Sequence, residues 1–348
     1  MGDKANNNGR ILVWLPSPLG DAVMCTPALK ALRENMPDKR IYFVGSDMVR
    51  DGLSPCDFAD EWIKVEGSVF RKAGQLRTLK FETAILFKNS ISCALTVFLA
   101  GVPRRVGYYR DGRRIFLTHG IKPPRHAGKY TPAPMMDYYV NLLEFLNIRS
   151  PERRLILKTD AACEASLAVK MPQLADGKPL IILVPGGAFG PSKCWPVEHY
   201  ALAADNLIEK YNARVVVSVA PKERPISDAI CGLAKNKLIN LADSPVSLGE
   251  LKALIARASL VITNDTGPRH IAIALNRPVI TMFGPNDPEW TNSRHPLEKQ
   301  LVTDEPCAPC QKPVCPNGDA KCMRNIKVES VCAAAESLLE RAGEKRQG

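Results

Sequence analysis

The stretch NDTGPRHIAIALNRPVITMFGP, residues 264–285, sets the tightest limit on what this chain can fold into. An apolar run, SLVIT at 259–263, precedes it and reads as a buried strand. The chain then turns through Asp265, Thr266 and Gly267 into a helical segment, and a second apolar strand ends at Phe283. A strand that stops at a glycine turn and opens a helix points several backbone N–H groups at one spot, which suits a phosphate. Such a turn also occurs as an ordinary helix cap, with Thr266 or Asp265 as the capping residue. His270 lies one turn into the helix, either within reach of the same phosphate or merely tolerated there.

The same alternation of strand and helix runs through the whole sequence. ILVWL (11–15) is followed by the turn PSPLGD and a helix over 22–34. IYFVG (41–45), WIKV (62–65) and AILF (84–87) are further strands. After a crossover at 148–160 that contains Pro151, the pattern restarts with LIILV (180–184), the loop PGGAFG and a helix over 197–210. RVVVSV (214–219), SLVIT and PVITMF complete a second sheet. Ser247 and Glu250 stand at capping-box spacing before another helix. Strands apolar on both faces suit parallel sheets covered by helices, and 348 residues fit two domains of roughly 150–170 each. The expectation is an α/β protein with two doubly wound domains. The first spans 1–155 and the second 156–327, and a last helix, 328–348, packs back across the first. Ligands of such sheets bind at the carboxyl ends of strands, so PSPLGD, PGGAFGPSK and NDTG are expected to face one interdomain cleft.

The formal charge of +11 points to anionic partners without choosing among nucleic acid, membrane surface and metabolites. Its densest source is residues 104–129, with Arg104, Arg105, Arg110, Arg113, Arg114, Lys122, Arg125 and Lys129 around Tyr108 and Tyr109. This segment is either a solvated basic loop or a grip for a phosphorylated or carboxylated acceptor. No nucleic-acid motif accompanies it. The polar start, MGDKANNNGR, has no secretory hydrophobic region, and the apolar run at 93–102 is too short to span a bilayer. Eleven cysteines then read as reduced thiols of a cytoplasmic protein.

Other residues carry chemistry in one of two ways. Asp21 opens the first helix, as a surface cap or as a general base over a sugar hydroxyl. Lys193, in PGGAFGPSKCWP beside Gly187 and Ala188, is a solvated loop lysine or a point charge on a pyrophosphate. Cys307, Cys310, Cys315 and Cys322 are plain buried thiols or the ligands of a structural zinc. No Asp-x-Asp pair occurs, which speaks against a divalent-metal grip on a sugar nucleotide. No GxGxxG follows the first strand, which speaks against a dinucleotide oxidoreductase.

Together LPSPLGDAVMCTPAL, GVPRRVGYYRDGRR, VPGGAFGPSKCWP, NDTGPRHIAIALNRPVITMFGPNDP and the late CAPC cluster resemble the lipopolysaccharide heptosyltransferases of glycosyltransferase family 9. The resemblance covers most of the chain. It implies the GT-B fold of two Rossmann-like domains. It also implies an inverting, metal-independent transfer of L,D-heptose from ADP-heptose to the inner core of lipopolysaccharide, with no cofactor required. In that picture Asp21 is the general base. Lys193, with Gly187 and Ala188, and Asp265, Thr266, Gly267 and His270 hold the donor diphosphate. Glu223 holds the ribose, and Val246 lines the adenine pocket. Arg105, Arg110 and Arg113 meet an anionic lipopolysaccharide-core acceptor, with peripheral contact to the cytoplasmic face of the inner membrane. Pro268 and Arg269 depart from the small or apolar residues usual between Gly and His, and Arg269 places a charge near the donor. Three alternatives stand beside it: a GT-B transferase with another nucleotide-sugar donor, a GT-B-fold sugar-nucleotide epimerase, and a non-catalytic nucleic-acid binder with a zinc knuckle, which would have no use for Asp21.

Overall fold

A computed structural model of the chain describes residues 9–150 and 152–347. Pro151 and nearly all of the polar N-terminal stretch lie outside the described residues. The chain divides into two compact units, Met1–Ile156 and Leu157–Gly348.

The first unit is built on five parallel strands: β1 (Arg10–Trp14), β2 (Arg40–Val44), β3 (Glu61–Ile63), β4 (Thr83–Leu86) and β5 (Arg104–Gly107), in the order β3-β2-β1-β4-β5. The central strands are buried on both faces, as their unbroken apolar runs require. Beyond β5 a two-stranded antiparallel hairpin forms from β6 (Arg125–His126) and β7 (Lys129–Tyr130). The helix read over 22–34 is two helices, Leu19–Met24 and Thr26–Asn35, joined at Cys25. Pro27 has no N–H for the Val23 carbonyl four residues back, and that carbonyl accepts from the Thr26 hydroxyl at 2.7 Å.

The second unit repeats the plan with six parallel strands. They are β8 (Leu180–Val184), β9 (Arg214–Val217), β10 (Ile239–Asn240), β11 (Leu260–Asn264), β12 (Val279–Phe283) and β13 (Glu298–Val302), in the order β10-β9-β8-β11-β12-β13. In each sheet the order reverses direction once: between β1 and β4 in the first unit, and between β8 and β11 in the second. At such a switch point neighbouring loops diverge and leave a crevice at the strands' carboxyl ends. Ser247 and Glu250 form the expected capping box, with Glu250 N–H on Ser247 Oγ at 3.2 Å and Ser247 N–H on Glu250 Oε2 at 2.6 Å.

The last helix, Val328–Gln347, corrects the sequence expectation. Val328, Val331, Ala335 and Leu338 are buried in the second unit's core, with Leu207 of the helix Val197–Tyr211 and Ile280 of β12. The apolar stripe assigned to the first domain is therefore consumed in the second. No helix among the described residues is long and apolar enough to cross a membrane.

Leu338 is fully buried, so Leu338→Ala should lower unfolding stability by about 2–5 kcal/mol. Urea denaturation reads this, and an unchanged midpoint would mean the helix is not integral to the core.

Candidate functional site

In the second unit three loops leave the carboxyl ends of the adjacent strands β9, β8 and β11. They carry Glu223, Lys193 and the Asp265–Thr266–Gly267 turn respectively. Asn264, fully buried at the end of β11, ties two of them together. Its Nδ2 donates to the carbonyls of Pro185 at 2.7 Å and Gly186 at 3.3 Å, and its Oδ1 accepts from Tyr200 at 3.3 Å.

Lys193 is buried, and its Nζ donates to the Asp265 carbonyl oxygen. The ammonium also lies over the Phe189 ring, 5.3 Å from the centroid. Burial draws its pKa down, against the opposing pull of Asp265. Gly187 leaves room for this side chain, because a Cβ at that position would stand 2.9 Å from Lys193 Cε and push the lysine aside. Ala188 is exposed on the same loop. Glu223 accepts from Gly187 N–H at 2.7 Å and from Ala220 N–H at 3.1 Å, so its carboxylate braces the glycine loop. Val246 is half-buried on the loop that leads from β10 to the helix Leu248–Arg257.

The Asp265 carboxylate is directed inward. It accepts from Arg269 Nη1 at 2.9 Å, Thr291 Oγ1 at 3.2 Å and Asn286 Nδ2 at 3.2 Å. Arg269 is completely buried, and its five N–H groups meet five acceptors. Nε and Nη2 reach Glu298 at 2.7 and 3.2 Å, Nη1 reaches Asp265 and Thr291 Oγ1, and Nη2 also reaches the Thr291 carbonyl at 3.2 Å. The charge expected beside the donor is thus neutralised in the interior by two carboxylates. Thr266 is the residue before the helix Gly267–Ala274, and its hydroxyl pairs with Thr263 at 3.0 Å rather than capping the helix. The helix Gly267–Ala274 opens at this turn, and backbone N–H groups at a helix start are the form of contact a phosphate takes.

His270 is buried with Nδ1 unpartnered, and its Nε2 is 3.8 Å from Asp265 Oδ1. Burial, and then the neighbouring Arg269, push its pKa down to about 4.

In the first unit Asp21 lies half-buried in the first turn of Leu19–Met24, beside the β1–β4 switch point. The buried Tyr139 hydroxyl meets its carboxylate. On the neighbouring loop Lys88 Nζ donates to Ser17 at 2.7 Å.

The three arginines expected to grip an acceptor part company. Arg113 is fully buried and donates to the carbonyls of Tyr108 and Lys88 and to Asn89 Oδ1, at 2.6–2.8 Å. It is a strut under the loop, with no N–H face left for a ligand. Arg105 donates to the carbonyls of Phe116 at 2.7 Å and Val102 at 2.5 Å and fastens β5 to the following turn. Arg110 stays partly exposed, paired with Asp111 at 2.7 Å and lying over the Tyr130 ring at 4.2 Å. Arg125, which the sequence left in the general basic run, lies over the same ring at 4.3 Å.

A structural zinc on Cys307, Cys310, Cys315 and Cys322 is not confirmed. All four are free thiols, and among the described residues no three His, Cys, Asp or Glu side chains are grouped to hold a metal. Cys322 belongs to the core. The intervening segment instead props the Lys193 loop. Ser192 donates through Oγ to the Lys312 carbonyl at 2.6 Å and through N–H to the Pro313 carbonyl at 3.1 Å. Gln311 N–H reaches the Pro285 carbonyl at 2.8 Å.

Two doubly wound parallel sheets, with a carboxylate at one switch point and a lysine and a helix-opening turn at the other, follow the plan of the GT-B glycosyltransferases. The model of "Glycosyltransferase family 9 (heptosyltransferase)" matches residues 69–321, and the chain belongs to that family. It is 30% identical to lipooligosaccharide heptosyltransferase 2 of Haemophilus ducreyi, over 84% of this chain and 87% of that one. It is 29% identical to lipopolysaccharide heptosyltransferase 2 of Escherichia coli, over 81% and 84%. The solved structure of E. coli ADP-heptose LPS heptosyltransferase II superposes with a TM-score of 0.80 at 25% identity, covering 96% of this chain and 99% of that one.

Arg269→Met would leave the Asp265 and Glu298 carboxylates buried without their cation. It should cost about 3–5 kcal/mol in denaturant unfolding, and a near-neutral result would mean the cluster is not a support. His270 gives a pH dependence of known sign. Its folded pKa lies below the unfolded value of about 6.5, so its contribution is complete above that pH. It is lost as pH falls toward 4, by roughly 3 kcal/mol in all. His270→Gln should flatten that part of the stability–pH curve.

Proposed function

We propose that this enzyme transfers L,D-heptose from ADP-heptose to the inner core of lipopolysaccharide, with inversion and without a catalytic metal. The observation that carries the proposal is the pairing of Lys193 with the Asp265 turn at the switch point of the second sheet. The similarity to heptosyltransferase II over most of the chain supports it. The Asp21 carboxylate takes the proton of an acceptor hydroxyl as that oxygen attacks the anomeric carbon of the donor. The bond from that carbon to the ADP phosphate oxygen breaks, and the electron pair leaves with ADP. The Lys193 ammonium and the outward amides of the turn after Asp265 stabilise the growing charge, the role a divalent ion plays elsewhere. Glu223 keeps Gly187 N–H and the glycine loop in place for the nucleotide, and Val246 lies just before the helix Leu248–Arg257, on the loop proposed to receive the base.

For the acceptor, the proposal moves from Arg105 and Arg113 to Arg110 and Arg125 over Tyr130, whose guanidinium edges remain available to phosphate or carboxylate. The site of action would be the cytoplasmic face of the inner membrane.

Asp21→Asn should keep the fold and ADP affinity and lower turnover by about 10²-fold or more; near-normal turnover would remove Asp21 from the base role. Lys193→Ala should weaken calorimetric ADP binding, and activity should survive EDTA. Arg110→Ala with Arg125→Ala should raise the acceptor KM by about tenfold at low salt and less at high salt, leaving donor KM unchanged.

A further inference from the structure

The helix Ile91–Leu99 in the first unit is apolar on two faces. Cys93, Ala94 and Val97 face the core and are buried. Ile91, Leu95 and Phe98, at i, i+4 and i+7, form a second stripe. Ile91 is 49% exposed and Phe98 45%, and Leu95 is half-buried. The short helical turn Arg113–Phe116 packs against this stripe. The Phe116 ring lies 5.7 Å from Phe98, and Ile115 projects at 77% exposure. The three exposed side chains thus sit on two adjoining elements, and scattered single exposures would need no explanation.

The charge around this stripe is predominantly positive. Between Glu82 and Asp137 the sequence holds nine lysines and arginines and a single acid, Asp111. Arg105 lies over the Phe98 ring at 5.3 Å, Arg114 is exposed beside Ile115, and Arg77 closes the far end of the helix by donating to the Leu99 carbonyl at 2.6 Å. The patch also adjoins the catalytic end of its own sheet, because Arg113 in the turn donates to the Lys88 carbonyl and Lys88 reaches Ser17 on the loop before Asp21.

We propose that Ile91, Phe98 and Ile115, rimmed by Arg77, Arg105 and Arg114, form the surface by which the first unit docks on an anionic lipid bilayer. Apolar side chains enter the headgroup–acyl boundary while cations meet lipid phosphates, the combination that holds a peripheral protein without a spanning segment. A protein partner would need a complementary apolar and acidic surface, whereas a bilayer supplies both from one source. The proposal rests on the reading that the acceptor is lipid-anchored: docking here brings the Asp21 loop to a substrate that does not leave the membrane.

The test is flotation of the full chain, without substrates, on vesicles containing phosphatidylglycerol and on vesicles of phosphatidylcholine alone. The wild type should float with the anionic vesicles, and less so as salt is raised. Ile115→Asp with Phe98→Ser should reduce that binding by about tenfold. The same variant should keep its kcat/KM on a delipidated, water-soluble core acceptor and show a raised KM on vesicle-borne acceptor. A wild type that does not bind anionic vesicles, or a variant that binds as well as wild type, overturns the proposal. So does a wild-type dimer that Ile115→Asp converts to monomer in light scattering, which would assign the patch to a second copy. A wild type that transfers heptose to neither acceptor would instead sink the heptosyl-transfer reading and leave the vesicle result standing on its own.

Discussion

The second unit's site depends on one buried cation. Arg269 is fully buried, and it is tolerable in the interior because Asp265, Glu298 and Thr291 supply an acceptor for each of its N–H groups. Asp265 belongs to the turn that opens the helix Gly267–Ala274 and Glu298 to β13, two strands away in the sheet. The ion cluster therefore pins the turn to the far edge of the sheet. Thr281 on β12, between the two, adds a hydrogen bond to Glu298 at 2.6 Å. With its carboxylate held inward, Asp265 presents its carbonyl to Lys193. The Arg269 charge is spent on two interior carboxylates, and what it fixes is the shape of the turn.

This arrangement fits the chemistry proposed for the chain. A site that stabilises a departing diphosphate gains most from dipoles and charges already fixed before the reaction. Lys193 is fixed by a backbone carbonyl, the carbonyl by the Arg269 cluster, and the glycine loop by Glu223 and Asn264. In the first unit Arg113 plays a comparable part, holding the loops around Lys88 and Tyr108 from within.

The fold was largely legible because the strands β1, β2, β4, β8, β9, β11 and β12 are apolar runs with few competing interpretations. The strands β5 and β13 were not, since RRVG and EKQLV are edge strands whose charged residues look like loop. Family motifs pointed to Lys193, Glu223 and the Asp265 turn as candidates, but not to which way each side chain points. Nothing local distinguishes Arg113, buried on backbone carbonyls, from Arg114, one residue on and exposed. Nor could sequence pair Arg269 with Glu298, 29 residues away, or Ser192 with Lys312, because those partners meet only through the sheet order.

The tie between Ser192 and the 311–313 segment bears on how this enzyme could be recombined with its relatives. Gly190 sits at φ 150°, and a Cβ there would stand 2.3 Å from the Pro313 carbonyl oxygen. The glycine loop and the distant segment are therefore cut to each other's shape. A chimaera that imports residues 185–193 from another transferase while keeping the resident 311–313 would inherit a loop without its matching wall. The two stretches, over a hundred residues apart in the chain, form a single module for exchange.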